Sequence, residues 1–229
     1  MTGTPERTQS VPLYLASTSP ARLALLRQAG IEPLLVAPEV DEAAAVAEAE
    51  QALGQTLDAA STAQLLARLK ARAGAEALPP QAQGLVVGGD SVFAFEGAVH
   101  GKPHTAQRAR ERWLAQSGSC GVLHSAHWVI DLRDRSVPVA DAPAQGEVRS
   151  ALVEFAELDA DEIEAYVGSG EPLLVAGAFT LDSLGGPFIR RVVGDPSTVV
   201  GLSLSGLRDS VRALGVPWTS LWNRAGRQP

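Results

Sequence analysis

Apolar and polar positions along this chain follow two rhythms. Short apolar runs bounded by Pro, Gly or Ser predict strands, and apolar residues three and four apart predict helices. Val11 to Ala16 is the first run, followed by Ser17-Thr18-Ser19-Pro20. From Ala21, residues Leu23, Leu25, Leu26 and Ala29 recur at helical spacing up to a stop at Gly30, with Ser19 as N-cap and Pro20 at the first helical position. Ile31 to Ala37 predicts a second strand. Residues 43–77 are Ala-rich and predict helix, broken near Gly54 and Ser61. The half from Thr62 carries Leu65, Leu66 and Leu69 on one face, and Pro79-Pro80 ends it. Residues 85–93 predict a buried strand, continued as a hairpin to Val99 through Glu96-Gly97. A helix over Thr105 to Ser117, strands over Cys120 to Leu132 and Gly146 to Ala156, and a helix over Asp159 to Gly168 follow. Phe188 to Val193 predicts a strand, Gly194 to Thr198 a turn, and Leu204 to Leu214 the last helix. Strands alternating with helices predict a mixed α/β sheet covered by helices.

Composition narrows the class. The chain has 229 residues, enough for one domain or one two-lobed domain. We place that domain at 11–222, after a disordered leader at 1–10 and before a loose tail at 223–229. Hydrophobic residues are 45% and charged residues 20%, as in a soluble globular protein. No apolar run approaches the roughly 18 residues that span a bilayer, and the polar N-terminus lacks a signal-peptide core. One cysteine, Cys120, fits a reducing cytoplasm. The net charge of −7 argues against a nucleic-acid polymer or a membrane surface as partner. It leaves open a small polyphosphate, which needs only a local basic cluster. Of 19 basic residues only Lys70 and Lys102 are lysine, a compact point charge suited to a single phosphate oxygen.

The candidate chemistry centres on Asp90. An apolar run, Leu85-Val86-Val87, leads through Gly88-Gly89 to this single acid, and a buried carboxylate is costly unless paired or bound to metal. P-loop, dinucleotide-binding and serine-hydrolase signatures are absent. Cys120, His124 and His127 fall on different faces of one strand and read as ordinary side chains rather than metal ligands. What remains is a set of phosphate-type groups on separate elements. Ser17, Ser19 and Arg22 stand at a helix start, where free N–H groups favour anions. Glu39, Asp41 and Glu42 follow the second strand, Lys70 lies on a helix, and Lys102 sits in a Gly–Pro turn.

Taken in order, Leu-Ala-Ser-Thr-Ser-Pro-Ala-Arg, Pro-Glu-Val-Asp-Glu, Leu-Ala-Arg-Leu-Lys-Ala, Gly-Asp-Ser-Val and Gly-Lys-Pro resemble the Maf-like nucleoside triphosphate pyrophosphatase family. Gly-Glu-Pro-Leu-Leu-Val-Ala-Gly-Ala-Phe and Gly-Asp-Pro-Ser-Thr-Val-Val-Gly-Leu-Ser-Leu extend the likeness from about Leu13 to Gly215. The resemblance implies an inosine-triphosphatase-like fold: an elongated mixed sheet in two lobes with a central cleft. It implies hydrolysis between the α and β phosphates of a nucleoside triphosphate, releasing the monophosphate and pyrophosphate. A divalent cation, Mg²⁺ or Mn²⁺, a cytoplasmic location and a homodimer are implied with it. Asp90 matches the catalytic proton acceptor. Ser17, Arg22, Lys70 and Lys102 match the family's phosphate-side positions and Glu42 an acid near the metal; our own reading of the residues adds Ser19 to the phosphate side and Glu39 and Asp90 to the metal side. Three departures bear on the base: Ala21, Ser91 and Asp182 stand where many members have Arg, Thr and Gln. Asp182 is similar to the acid of the branch acting on 7-methylguanosine triphosphate, but Ala21 and Ser91 match neither that branch nor the thymidine and uridine one, so base preference stays open. Two other readings remain at this level. One is a nucleotide-binding regulator of cell division and septum formation with little catalysis. The other is an unrelated α/β scaffold, which salt bridges of Lys70 or Lys102 away from Asp90 would mark.

Overall fold

A computed structural model describes residues 10–224. The leader expected at 1–10 and the tail expected at 223–229 fall largely outside them. Asn223, where looseness was expected to begin, is instead tied down: its side chain exchanges hydrogen bonds with the backbone of Glu32 at 2.6 and 2.9 Å.

The chain runs β1 (Leu13–Ala16), α1 (Pro20–Gln28), β2 (Leu34–Val36), α2 (Glu42–Leu53), α3 (Ala59–Ala77), β3 (Leu85–Phe95), β4 (Ala98–His100) and α4 (Ala106–Gln116). It continues through β5 (Cys120–Asp131), β6 (Ala144–Phe155), α5 (Ala160–Gly168), β7 (Ile189–Val193), α6 (Pro196–Val200) and α7 (Leu204–Ala213). The strands form one seven-stranded sheet in the order β2-β1-β3-β5-β6-β7, with β4 also on β3. Pairing is parallel for β2–β1–β3 and antiparallel elsewhere. The protein is therefore a mixed α/β fold with an open sheet.

β3 is the axis. It is buried on both faces along most of its length, which is why its sequence reads as a continuous apolar run rather than an alternation. Its even-numbered positions face α3 and its odd-numbered ones face α1 and the segment 177–201. On the odd face, Leu13, Leu15, Leu85 and Val87 pack with Leu25, Leu26, Leu207 and Val211 of α1 and α7. Further along, Phe93 joins an aromatic cluster with Phe155, Phe179, Trp113 and Tyr166.

α3 accounts for part of the Ala-rich stretch. Ala59, Ala63, Ala67, Ala71, Gly74 and Ala75, with Leu66, form its buried face. Small residues there let the helix lie unusually close to the sheet. A Cβ at Gly88 would sit 2.3 Å from the backbone nitrogen of Ala71 and 2.4 Å from the carbonyl oxygen of Ala67, so the strand needs glycine at the crossing.

Three expected boundaries shift. The break in the Ala-rich segment runs from Gly54 to Asp58, and Ser61 lies inside α3. Gly54 ends α2 in the left-handed region (φ 67°) and the Asp58 carboxylate caps α3 by accepting from the Ser61 N–H at 2.7 Å. The Asp195-Pro196 turn also opens a short helix, because the residues that signal a turn serve equally as N-cap and first helical position. The second strand contracts to three residues at the sheet edge.

Candidate functional site

β1 stops pairing with β3 at Ala16↔Gly88, and β4 starts only at Phe93↔His100. Residues 89–92 of β3 therefore have β5 on one side and no strand on the other. Asp90 and Ser91 occupy that window, in mid-strand.

On the α3 side, Lys70 is held over Asp90 by the close crossing at Gly88. Its ammonium donates to Asp90 Oδ1 at 2.6 Å and lies 2.7 Å from Glu42 Oε1, at the first turn of α2. Lys70 thus pairs with Asp90 itself, the reverse of what the unrelated-scaffold reading requires. Asp90 is only 8% exposed. Burial pushes its carboxyl above the ordinary carboxylate range, against the opposing pull of Lys70 and Arg22.

On the other face lies Arg22, a buried guanidinium. Ser19 caps α1 by accepting from the Arg22 N–H at 3.4 Å, and the Ser17 hydroxyl accepts from the Ser19 N–H at 3.2 Å. This places Arg22 in the first turn of α1, directed into the sheet. Its Nε donates to the Gly201 carbonyl at 2.8 Å, Nη1 to Ser17 Oγ at 3.2 Å and Nη2 to Ser91 Oγ at 2.9 Å. Burial lowers its pKa, offset by the nearby Asp90 and Glu42 charges. A guanidinium carries five N–H donors in a fixed fork. Three are used here, leaving one on each terminal nitrogen for a ligand.

A partner that the sequence did not reveal completes the clamp. Ser125, on β5 directly opposite Ser91, is fully buried. Its hydroxyl donates to the Thr198 carbonyl at 2.7 Å and lies 2.8 Å from Ser91 Oγ. With its one proton spent on Thr198, Ser125 accepts from Ser91, and Ser91 accepts from Arg22. Ser91 therefore acts on its surroundings through Arg22. The one available signal was a serine within the largely apolar β5, but its partner depends on a register that no local pattern specifies.

Glu171 is the second group the sequence reading passed over. Its carboxylate accepts from Tyr166 Oη at 3.0 Å, Thr180 Oγ1 at 2.5 Å, Ser183 Oγ at 2.5 Å and the N–H groups of Leu184 at 3.2 Å and Gly185 at 3.0 Å. Burial raises its pKa, but the Ser183 and Thr180 hydroxyls and the two amides outweigh that and leave it at about 2. These bonds shape the loop that carries Asp182.

The fold thus brings together Ser17, Ser19, Arg22, Glu42, Lys70, Asp90 and Ser91, with Ala21 adjoining in α1. It does not tie in the other three. Glu39 and Asp182 are exposed, without a hydrogen bond or ion pair to this group among the described residues, and no set of three or more His, Cys, Asp or Glu side chains there is arranged to hold a metal. Lys102 is exposed two residues beyond β4, which runs antiparallel to β3 and so leads the chain back alongside the window. The four ionised groups at the centre, Arg22, Lys70, Asp90 and Glu42, balance one another in charge. A polyphosphate entering here would bring uncompensated negative charge, which a divalent cation on the two carboxylates would offset. Mg²⁺ typically takes one or two protein carboxylates and completes its sphere with phosphate and water, and Asp90 with Glu42 fits that demand.

A family model described as Maf-like protein matches residues 12–214. The chain is 62% identical over 215 residues to a protein of Leifsonia xyli subsp. xyli named nucleoside triphosphate pyrophosphatase, covering 93% of this chain and 98% of that one. Proteins of the same name from Salinispora tropica and Nocardia farcinica are 45% and 44% identical, covering 93% and 94% of this chain and 88% and 98% of theirs.

Proposed function

The chain belongs to the Maf-like family, and from that premise we propose that it is a nucleoside triphosphate pyrophosphatase, cleaving the α–β phosphoanhydride to release a monophosphate and pyrophosphate. The observation that carries the reading is the pairing of a buried, basicity-raised Asp90 with Lys70 on one side of the open β3 window and Arg22, with two free N–H donors, on the other. An anionic substrate has cations to bind it there, and water has a carboxylate to take its proton.

In the reaction, Asp90 orients a water and accepts its proton as the oxygen attacks phosphorus. A carboxylate whose pKa is raised by burial is a better base than an exposed one. Lys70, held within reach of Asp90, neutralises phosphate charge as it develops, and the Arg22 fork takes phosphate oxygens with its remaining donors. Ser17, Ser19 and the start of α1 contribute further donors. A divalent cation held by Asp90 and Glu42 would neutralise phosphate oxygens and favour departure of pyrophosphate. Ala21, Ser91 and Asp182 belong to the proposal as positions that tune base selection, and Ser91 also braces the phosphate-binding Arg22. Homodimerisation and a cytoplasmic site of action complete it. Among the described residues, no helix is long and apolar enough to cross a membrane.

The test is a pyrophosphate-release screen over ordinary and modified nucleoside triphosphates, with Mg²⁺, with Mn²⁺ and with chelator. Metal-dependent release from at least one substrate, lost in Asp90→Asn, is expected. Release that persists undiminished in that variant would remove Asp90 from its role.

A further inference from the structure

We infer that Lys102, Arg108 and Arg112 form a second anion subsite, beside the Arg22–Lys70 pair, which binds the departing pyrophosphate end of the substrate. The inference deepens the proposed pyrophosphatase reading and rests on it for the identity of the anion.

The strand register carries the Lys102 end of the subsite toward the reacting centre. His100 is paired with Phe93, three residues from Asp90, or about 10 Å along the strand. β4 runs antiparallel, so Gly101 and Lys102 head back toward Asp90. α4 is tied to this turn directly: Arg112 Nη1 donates to the carbonyl of Gly101, the residue before Lys102. Arg108 lies one turn earlier on the same helix face.

Arg108 and Arg112 are neighbours on α4, Arg112 reaches the residue before Lys102, and the acids of this region, Glu111 and Glu96, are ion-paired with none of these three cations. None of the three makes an ion pair within 4.0 Å among the described residues, although the chain as a whole carries a net charge of −7. Arg110, between them in sequence, is by contrast bound to Glu164 through Nε and Nη2. Like charges four apart destabilise a helix. Arg108 also sits in the first turn of α4, where a cation opposes the helix dipole and no acidic residue shares the turn. The Arg112 guanidinium is drawn below its ordinary pKa by burial and then by Arg108. All of these strains are relieved by one multiply charged anion. Two guanidinium forks and one ammonium match pyrophosphate, whose oxygens accept paired and single charge-assisted hydrogen bonds alike.

Calorimetric titration of the full chain with inorganic pyrophosphate tests this without requiring turnover. Arg112→Gln should weaken binding about tenfold, the worth of one hydrogen bond to a charged group, and Arg108→Gln/Arg112→Gln should weaken it further. Arg110→Gln removes the same charge from the same helix and should stay within about twofold, since that guanidinium already has its carboxylate partner. Wild-type-like affinity in Arg112→Gln, an equal loss in Arg110→Gln, or no pyrophosphate binding by the wild type would each overturn the subsite. Melting temperatures of the same samples separate a folding defect from lost affinity. Failure of the pyrophosphatase reading shows up elsewhere, as a wild-type protein that releases no pyrophosphate from any nucleotide.

Discussion

Gly88→Ala should disable the site from a position that never touches substrate. The added Cβ would lie 2.3 Å from Ala71 N, 2.4 Å from Ala67 O and 2.8 Å from Ala71 Cα, whereas ordinary contacts begin near 3.4 Å. All three atoms are backbone, so no rotamer change relieves the clash and α3 must retreat from β3 by about 1 Å. Overpacking of this kind costs about 1–3 kcal/mol, and each kcal/mol lowers Tm by roughly 2–4 °C in a chain of this size. The same retreat carries Lys70 away from Asp90, whose present separation is 2.6 Å. A misplacement near 1 Å can cost about 10²-fold in rate. Thermal unfolding and steady-state pyrophosphate release on one preparation should therefore both fall. Truncating Ala71 to Gly in the same background should not restore them, because the colliding atoms would remain. Wild-type Tm together with wild-type kcat in Gly88→Ala would refute the idea that this crossing sets the position of Lys70.

Three further outcomes are expected. Asp90→Asn should lower turnover by at least about 10²-fold, the scale of a lost general base, with an unchanged far-UV circular dichroism spectrum. Ser125→Ala should raise KM for the nucleotide more than it lowers kcat, because it frees the Ser91 hydroxyl that braces Arg22, while Ser125→Thr should restore much of the affinity. A fall in Tm with unmoved KM would instead make Ser125 merely structural. Glu171 gives a pH dependence of stability: its folded pKa of about 2 lies below the ordinary 4.5, so its contribution is full above pH 4.5 and fades as pH falls toward 2. Urea midpoints across that range should drop less steeply in Glu171→Gln than in the wild type, and parallel curves would show that the hydroxyl and amide bonds to this carboxylate carry no linkage.

What the sequence by itself determined was local. The capped start of α1 at Ser19-Pro20, the buried run leading to Asp90, the Glu96-Gly97 hairpin and the Thr105 cap of α4 all follow from spacing, capping chemistry and apolar rhythm within a few residues. The scarcity of lysine singled out Lys70, and the tertiary structure seats it on Asp90. Only the tertiary structure decided which of these pieces meet. The open window at 89–92 exists because β1 ends and β4 begins at particular rungs of β3, a consequence of register over long sequence separations. Ser125 entered the site for the same reason, since it depends on pairing opposite Ser91. The Asp195-Pro196 signal could not choose between turn and helix, because a side-chain cap serves both until packing selects one. Glu39 and Asp182 show the converse. Their residue type and motif position marked them for the site, yet a side chain's reach to a ligand is set by the loop that holds it, and for Asp182 that loop is shaped by the Glu171 carboxylate.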